Sequence, residues 1–101
     1  MRIQNKYGIT SIKFAREIQA YCPLGRDYYT ATIYVDMQPA EMIMDYCHTD
    51  KFIKSLGGQR LIIEDLVARV YNHIKQYEPK HLSVSAEAKS NTHFPVIVTK
   101  E

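Results

Sequence analysis

Between Thr10 and Tyr21 the chain alternates. Ile12, Phe14, Ile18 and Ala20 fall on one side, Lys13, Glu17 and Gln19 on the other, with Arg16 the polar exception among the apolar positions. A period of two marks a strand with one buried face. The same register carries Cys22 to the apolar side if the strand extends that far. Tyr29, Ala31, Ile33, Val35 and Met37 then alternate with Thr30, Thr32, Tyr34 and Asp36, which predicts a second strand. Leu24 to Asp27 turns the chain between them, with Gly25 free to take a positive φ. The pair reads as a hairpin.

The period then changes. Pro39 suits the first turn of a helix, and Glu41 and Asp45 favour its N-terminal half. That helix is expected to run to Leu56, with Ile43, Cys47 and Ile53 among its apolar positions and Cys47 in the core; Gly57-Gly58 stops it. A second helix carries the stripe Ile63, Val67, Val70, Ile74 and Tyr77, flanked by Leu66, with Arg69, Asn72, Lys75 and Gln76 facing water. Pro79 closes it. Leu82, Val84, Ala86 and Ala88 predict a third strand, and Phe94, Val96 and Val98 a fourth, joined by a turn at Ser90-Asn91. Pro95 cannot donate to a ladder and marks an edge or a bulge.

The order is ββααββ. The expected fold is α+β, one domain over residues 1–101, with a four-stranded antiparallel sheet and both helices on one of its faces. Such a layer has one uncovered face and two unpaired edges. Sheets of several subunits joined edge to edge into a barrel remove both liabilities, and ligand sites then lie between subunits of a homo-oligomer.

Composition narrows the class without naming a chemistry. A formal charge of +2 is too mild to argue for nucleic acid by itself. There is no apolar run of about 18 residues to span a membrane. The stretch Met1 to Lys6 lacks the apolar core of a signal peptide. The two cysteines, Cys22 and Cys47, have no metal-ligand spacing, so neither a zinc site nor a disulfide framework is expected. The four histidines, His48, His73, His81 and His93, are scattered and match no metal site. A reduced, cytoplasmic protein is the expectation.

Candidate chemistry centres on Cys22 in "YCPLGRDYYTATIY". It reads either as a small buried residue at a strand end or as a nucleophilic thiolate, which needs partial exposure and a nearby proton acceptor. Asp27, on the same turn, reads as a proton carrier or as an aspartate bonding nearby backbone N–H groups. Glu64 opens the second helix without the i,i+4 partner that Asp65 finds in Arg69. It reads as a solvated helix-start carboxylate or as an acceptor for paired N–H donors of a ligand. Tyr28 and Tyr29 flank the turn and are placed to stack on a planar ligand.

Together these features resemble the tunnelling-fold (T-fold) superfamily, whose ββααββ subunits form barrels that bind purines or pterins between subunits, a glutamate holding the ligand's guanidine-like edge. Within it, "CPLGRDYYTATIYVDMQP" is similar to the turn of the QueF nitrile reductase family of queuosine biosynthesis. The spacing runs on to Glu64 in "IEDLV" and to "EPKHLSV", so the resemblance spans roughly Ile18 to Ala86. It implies that Cys22 attacks the nitrile carbon of 7-cyano-7-deazaguanine to give a thioimide. Asp27 would handle the proton and Glu64 would hold the base.

The departures are informative. Asp27 lies nearer the cysteine than the family's aspartate, whose place Tyr29 takes, and the family's histidine before the glutamate is Ile63. The lysine-rich segment that the reductases use for NADPH is replaced by "DYCHTDKFIKSLGG", and the C-terminal R-G-G-like signature by "KSNTHFPV". A shorter archaeal branch also lacks the NADPH segment and adds ammonia to the same nitrile on tRNA, forming the amidine of archaeosine. Amidine formation without a cofactor is therefore favoured over NADPH-dependent reduction. The substrate is 7-cyano-7-deazaguanine as a free base or in tRNA. Two alternatives stand beside it. One is a pterin enzyme such as dihydroneopterin aldolase, with Lys89 as acid/base; the other is a degenerate module that only binds a purine or a partner protein.

Overall fold

The computed structural model describes residues 3–101. A short strand β1 (Ile3–Gln4) precedes a long hairpin of β2 (Ile12–Cys22) and β3 (Asp27–Gln38). The alternation seen in the sequence is realised, with Phe14 only half-buried. Ile12, Ile18 and Ala20 of β2 and Tyr29, Ala31, Ile33, Val35 and Met37 of β3 are all buried. β2 does extend to Cys22, whose register partner is Asp27. The connection is residues 23–26, closed by the Arg26 N–H donating to the Cys22 carbonyl at 2.8 Å. Its left-handed residue is Arg26 (φ 55°) rather than the expected Gly25. Gly25 is used for space instead.

The first helix starts later than Pro39 suggests. Pro39 follows directly on β3, and residues Met42–Ile43 form a short strand β4 that pairs with β1 in a separate two-stranded sheet. Helix α1 (Tyr46–Ser55) begins where Asp45 caps it, accepting from the His48 N–H at 3.0 Å. This shift corrects the expectation for Cys47. Standing in the first turn of a helix that buries Thr49 and Ile53, it faces solvent instead of the core. Arg16, the polar exception of β2, is explained by the same helix. Its Nε lies 2.9 Å from Asp50 Oδ1 and its Nη2 donates to Oδ2 at 3.1 Å, an ion pair that ties α1 to the sheet.

Helix α2 (Ile63–Lys75) buries Leu66, Val67, Val70 and Ile74, as its stripe predicts. These pack on β5 (His81–Lys89) and β6 (Val96–Lys100), where Leu82, Val84, Ala86 and Ala88 are buried in turn. Phe94 is not part of β6. It is exposed in the preceding loop, beside Pro95. The main sheet has the order β2-β3-β5-β6, four antiparallel strands with the helices over one face. The uncovered face carries polar side chains such as Glu17, Gln19, Thr30 and Thr32, interspersed with the exposed large side chains Tyr28, Tyr34 and Ile97. Both this mixed face and the open strand edges are available for assembly.

Among the described residues no helix is long and apolar enough to cross a membrane.

Candidate active site at the hairpin end

Three stretches far apart in sequence meet where β2 ends. The first is the turn itself. Cys22 is half-buried, and its Sγ accepts a hydrogen bond from the Gly25 N–H at 3.4 Å. Such a donor serves a thiolate better than a thiol, because an ionised acceptor forms the stronger bond. Asp27 Oδ1 accepts from the Tyr28 N–H at 2.8 Å, the local backbone bond typical of a turn aspartate.

The second stretch is a strap, residues 58–61, that runs parallel to the end of β2. Gly58 N–H donates to the Gln19 carbonyl at 2.8 Å, Tyr21 N–H to the Gln59 carbonyl at 3.0 Å, and Leu61 N–H to the Tyr21 carbonyl at 3.0 Å. The strap delivers Ile62, the N-cap of α2, and with it Glu64 in the first helical turn. From beneath, the Tyr29 hydroxyl donates to the Leu61 carbonyl at 2.6 Å. Burial above all, then the negative charge of Cys22, Glu64 and Asp65, pushes the Tyr29 hydroxyl up to about 12. It stays a donor across the neutral range.

The third stretch is the β5–β6 loop. Ser90 Oγ and Thr92 Oγ1 are 2.8 Å apart, and the Thr92 N–H donates to Ser90 Oγ at 3.1 Å, which folds the loop back toward the turn. A Cβ added at Gly25 would stand 3.5 Å from Thr92 Oγ1 and 3.9 Å from Cys22 Sγ. A side chain there would crowd the space between hydroxyl and thiol.

Around these stretches lies a cavity of about 260 Å³, lined by Cys22, Asp27, Tyr29, Glu64, Thr92 and His93. That is near the lower end for small-molecule pockets, roughly 300 Å³ upward, and suits a single fused ring system better than a dinucleotide. Glu64 is exposed, and among the described residues its carboxylate has no hydrogen-bond or ion-pair partner. A larger groove of about 640 Å³ runs between β2 and α1, past Arg16 and Asp50, but contains no thiol.

Of the residues expected from sequence, Cys22, Asp27, Tyr29 and Glu64 share the cavity. Tyr28 does not. It projects from the opposite face of the sheet, exposed, with its ring 5.2 Å from that of Tyr21 in an edge-to-face contact. Tyr29 forms the floor with its hydroxyl committed to Leu61. Sequence reading missed Thr92 and His93. The cluster "SNTH" between two strands was their only signal, and it read as turn chemistry alone. Lys89 lies outside the cavity, its Nζ 3.8 Å from Glu87 Oε1. Cys47 is remote from it as well.

The other histidines serve elsewhere. His73 stacks on Phe52 with ring centroids 4.0 Å apart and lies 5.3 Å from His48, in the seam between the helices. Burial, then the neighbouring His48, lowers its pKa. Among the described residues no group of three or more His, Cys, Asp or Glu side chains gathers to hold a metal ion.

The chain thus has the ββααββ fold of the T-fold type, with a thiol-bearing cavity at the end of its first hairpin. The crystal structure of the archaeosine synthase QueF-Like in the apo form has the same fold: TM-score 0.83 at 15% sequence identity, covering 91% of this chain and 92% of that one. No protein-family model matches the chain, and no curated protein does.

Proposed function

We propose that this chain is an enzyme of 7-deazaguanine metabolism that forms a cysteine thioimide with the nitrile of 7-cyano-7-deazaguanine. The observation that carries the reading is the cavity. A half-buried thiol with its own backbone donor and an unpartnered carboxylate at a helix start line the same 260 Å³ space. Cys22 Sγ adds to the nitrile carbon while Glu64 receives the paired N–H donors of the base, so that the electrophile is held against the sulfur. Ammonia then adds to the thioimide carbon, the C–S bond breaks, and an amidine leaves.

Amidine formation is favoured over NADPH-dependent reduction because the segment over α1 lacks the lysine pattern that would grip the cofactor's phosphates. The fold shared with an archaeosine synthase supports the same direction. The pterin reading loses its acid/base, since Lys89 lies outside the cavity. The subunit fits a ring-like homo-oligomer closed through its open strand edges, with the acceptor a free base or tRNA.

Intact mass after incubation with 7-cyano-7-deazaguanine tests the reading. A gain of one ligand per chain is expected for the wild type, and its conversion to product on adding ammonium but not NADPH. A wild-type chain that never gains mass would return Cys22 to the role of a packing residue.

A further inference from the structure

His93, exposed on the β5–β6 loop, lines the cavity together with the thiol and the carboxylate. Its Nδ1 lies 2.5 Å from the Phe94 carbonyl oxygen. A carbonyl only accepts, so the proton of this contact sits on Nδ1. That bond fixes the ring and leaves Nε2 as the nitrogen free to exchange a proton. Of the other ionisable groups on the cavity, none is as free to donate one. Tyr29 is spent on the Leu61 carbonyl, Asp27 accepts from the Tyr28 N–H, Cys22 is the nucleophile, and Glu64 is exposed at the start of α2 as the acceptor for the base. The position before that glutamate is Ile63, an apolar wall, so α2 brings no imidazole of its own.

We propose that His93 is the group that protonates the ligand's exocyclic nitrogen in the Cys22 cavity, a role that rests on the thioimide reading above and assigns its proton. The step balances. The Cys22 thiolate forms the S–C bond, one C≡N π pair moves to nitrogen, and the proton on Nε2 of the His93 imidazolium passes to that nitrogen. The product is a neutral thioimide and a neutral imidazole still bonded through Nδ1 to Phe94. When ammonia adds and the thiolate leaves, the amidinium carries that proton away and solvent reprotonates His93.

The test is the rate of adduct formation against pH, followed by intact mass for wild type, His93→Gln and Asp27→Asn. Attack needs a thiolate and an imidazolium together, so the wild-type rate should be bell-shaped. His93→Gln should be slower by roughly 100-fold near neutrality, within the range for loss of a general acid, and should lose the alkaline descent. Its noncovalent binding of 7-deazaguanine, which has no nitrile, should match wild type and report that the loop is intact. An unchanged rate and profile in His93→Gln, with adduct still formed by wild type, overturns the role of His93 and leaves the thioimide standing. Loss of the alkaline limb in Asp27→Asn but not in His93→Gln assigns the proton to Asp27 and overturns it equally. Absence of adduct in wild type at every pH removes both.

Discussion

Cys22 and Asp27 are cross-strand partners, the last residue of β2 facing the first of β3. Opposed residues on one face of an antiparallel pair hold their Cβ atoms about 5 Å apart, so sulfur and carboxylate cannot drift from each other while the hairpin is intact. Glu64, the carboxylate proposed to hold the ligand, is brought to the same cavity by the strap that leads into α2.

Separating the two thiols is the most direct check. Cys22→Ala is expected to fold and to gain no nitrile mass, whereas Cys47→Ala, exposed on α1 away from the cavity, should behave as wild type. An adduct that persists in Cys22→Ala and vanishes in Cys47→Ala would move the chemistry from the hairpin end to α1.

Glu64→Ala should weaken noncovalent binding of 7-deazaguanine. Leaving a ligand's donors unpaired costs about 1–3 kcal/mol, or roughly a 5- to 150-fold rise in Kd by calorimetry. Because Glu64 is exposed and unpartnered, its loss should leave the melting temperature near that of wild type. Unaltered binding would mean the base is anchored elsewhere.

Tyr29→Phe removes the bond to the Leu61 carbonyl and should lower stability by about 1 kcal/mol, a fall of roughly 4–8 °C in Tm for a domain of this size. The hydroxyl also makes the fold alkali-sensitive. Its pKa is near 12 when folded and about 10 unfolded, so above pH 10 the unfolded chain releases the proton first. Stability from this group is complete below pH 10 and is lost as pH rises towards 12. Denaturant midpoints of wild type and Tyr29→Phe should converge across that window; parallel curves would deny the linkage.

His73 has the opposite dependence. Its folded pKa is lowered by burial and by His48, so below the ordinary imidazole value near 6.5 the unfolded chain binds the proton more readily. The contribution is whole above that pH and declines as pH falls. His73→Phe, which keeps a ring against Phe52, should flatten the loss of Tm between pH 7.5 and 5.5. A slope equal to wild type would point to other groups.

Assembly can be tested at the edge of β2. Tyr21 turns both its N–H and its carbonyl outward to the strap, and Gln19 its carbonyl. By the alternation of a strand, the backbone groups of Lys13, Ala15 and Glu17 also face outward, with no strap beside them. Ala15→Pro therefore deletes no donor used within the subunit, but it removes one that edge pairing needs. Light scattering should find a multi-subunit wild type and a smaller particle for the variant. A wild type that is monomeric at micromolar concentration would count against an interfacial site.

Much of this was legible in the residues themselves. The period of two in β3 and the Val67, Val70 and Ile74 of the second helical stripe are direct records of burial, so sheet and second helix followed from them. Pro39 misled because a fixed φ near −65° fits a strand exit as well as a helix start, and because a two-residue pair such as β1–β4 is too short to show a period. Cys22, Asp27 and Glu64 could be found because each stands beside a turn or cap with its own signature. Thr92 and His93 reach the cavity only through the fold of their loop, a relation that no local pattern encodes.

The strap along β2 also sets the order in which the cavity can come into being. The β2–β3 hairpin closes over residues 23–26, a short loop with little closure entropy, while the strap must return across all of β3 and α1 before its first bond to Gln19 forms. The outward amide of Tyr21 and that of Leu61 should accordingly exchange with solvent as one unit, sooner than the central amides of β3. On the proposed reading, a chain with the strap undocked would hold Cys22 without Glu64 beside it, so selectivity would be the last property the fold acquires and the first it surrenders.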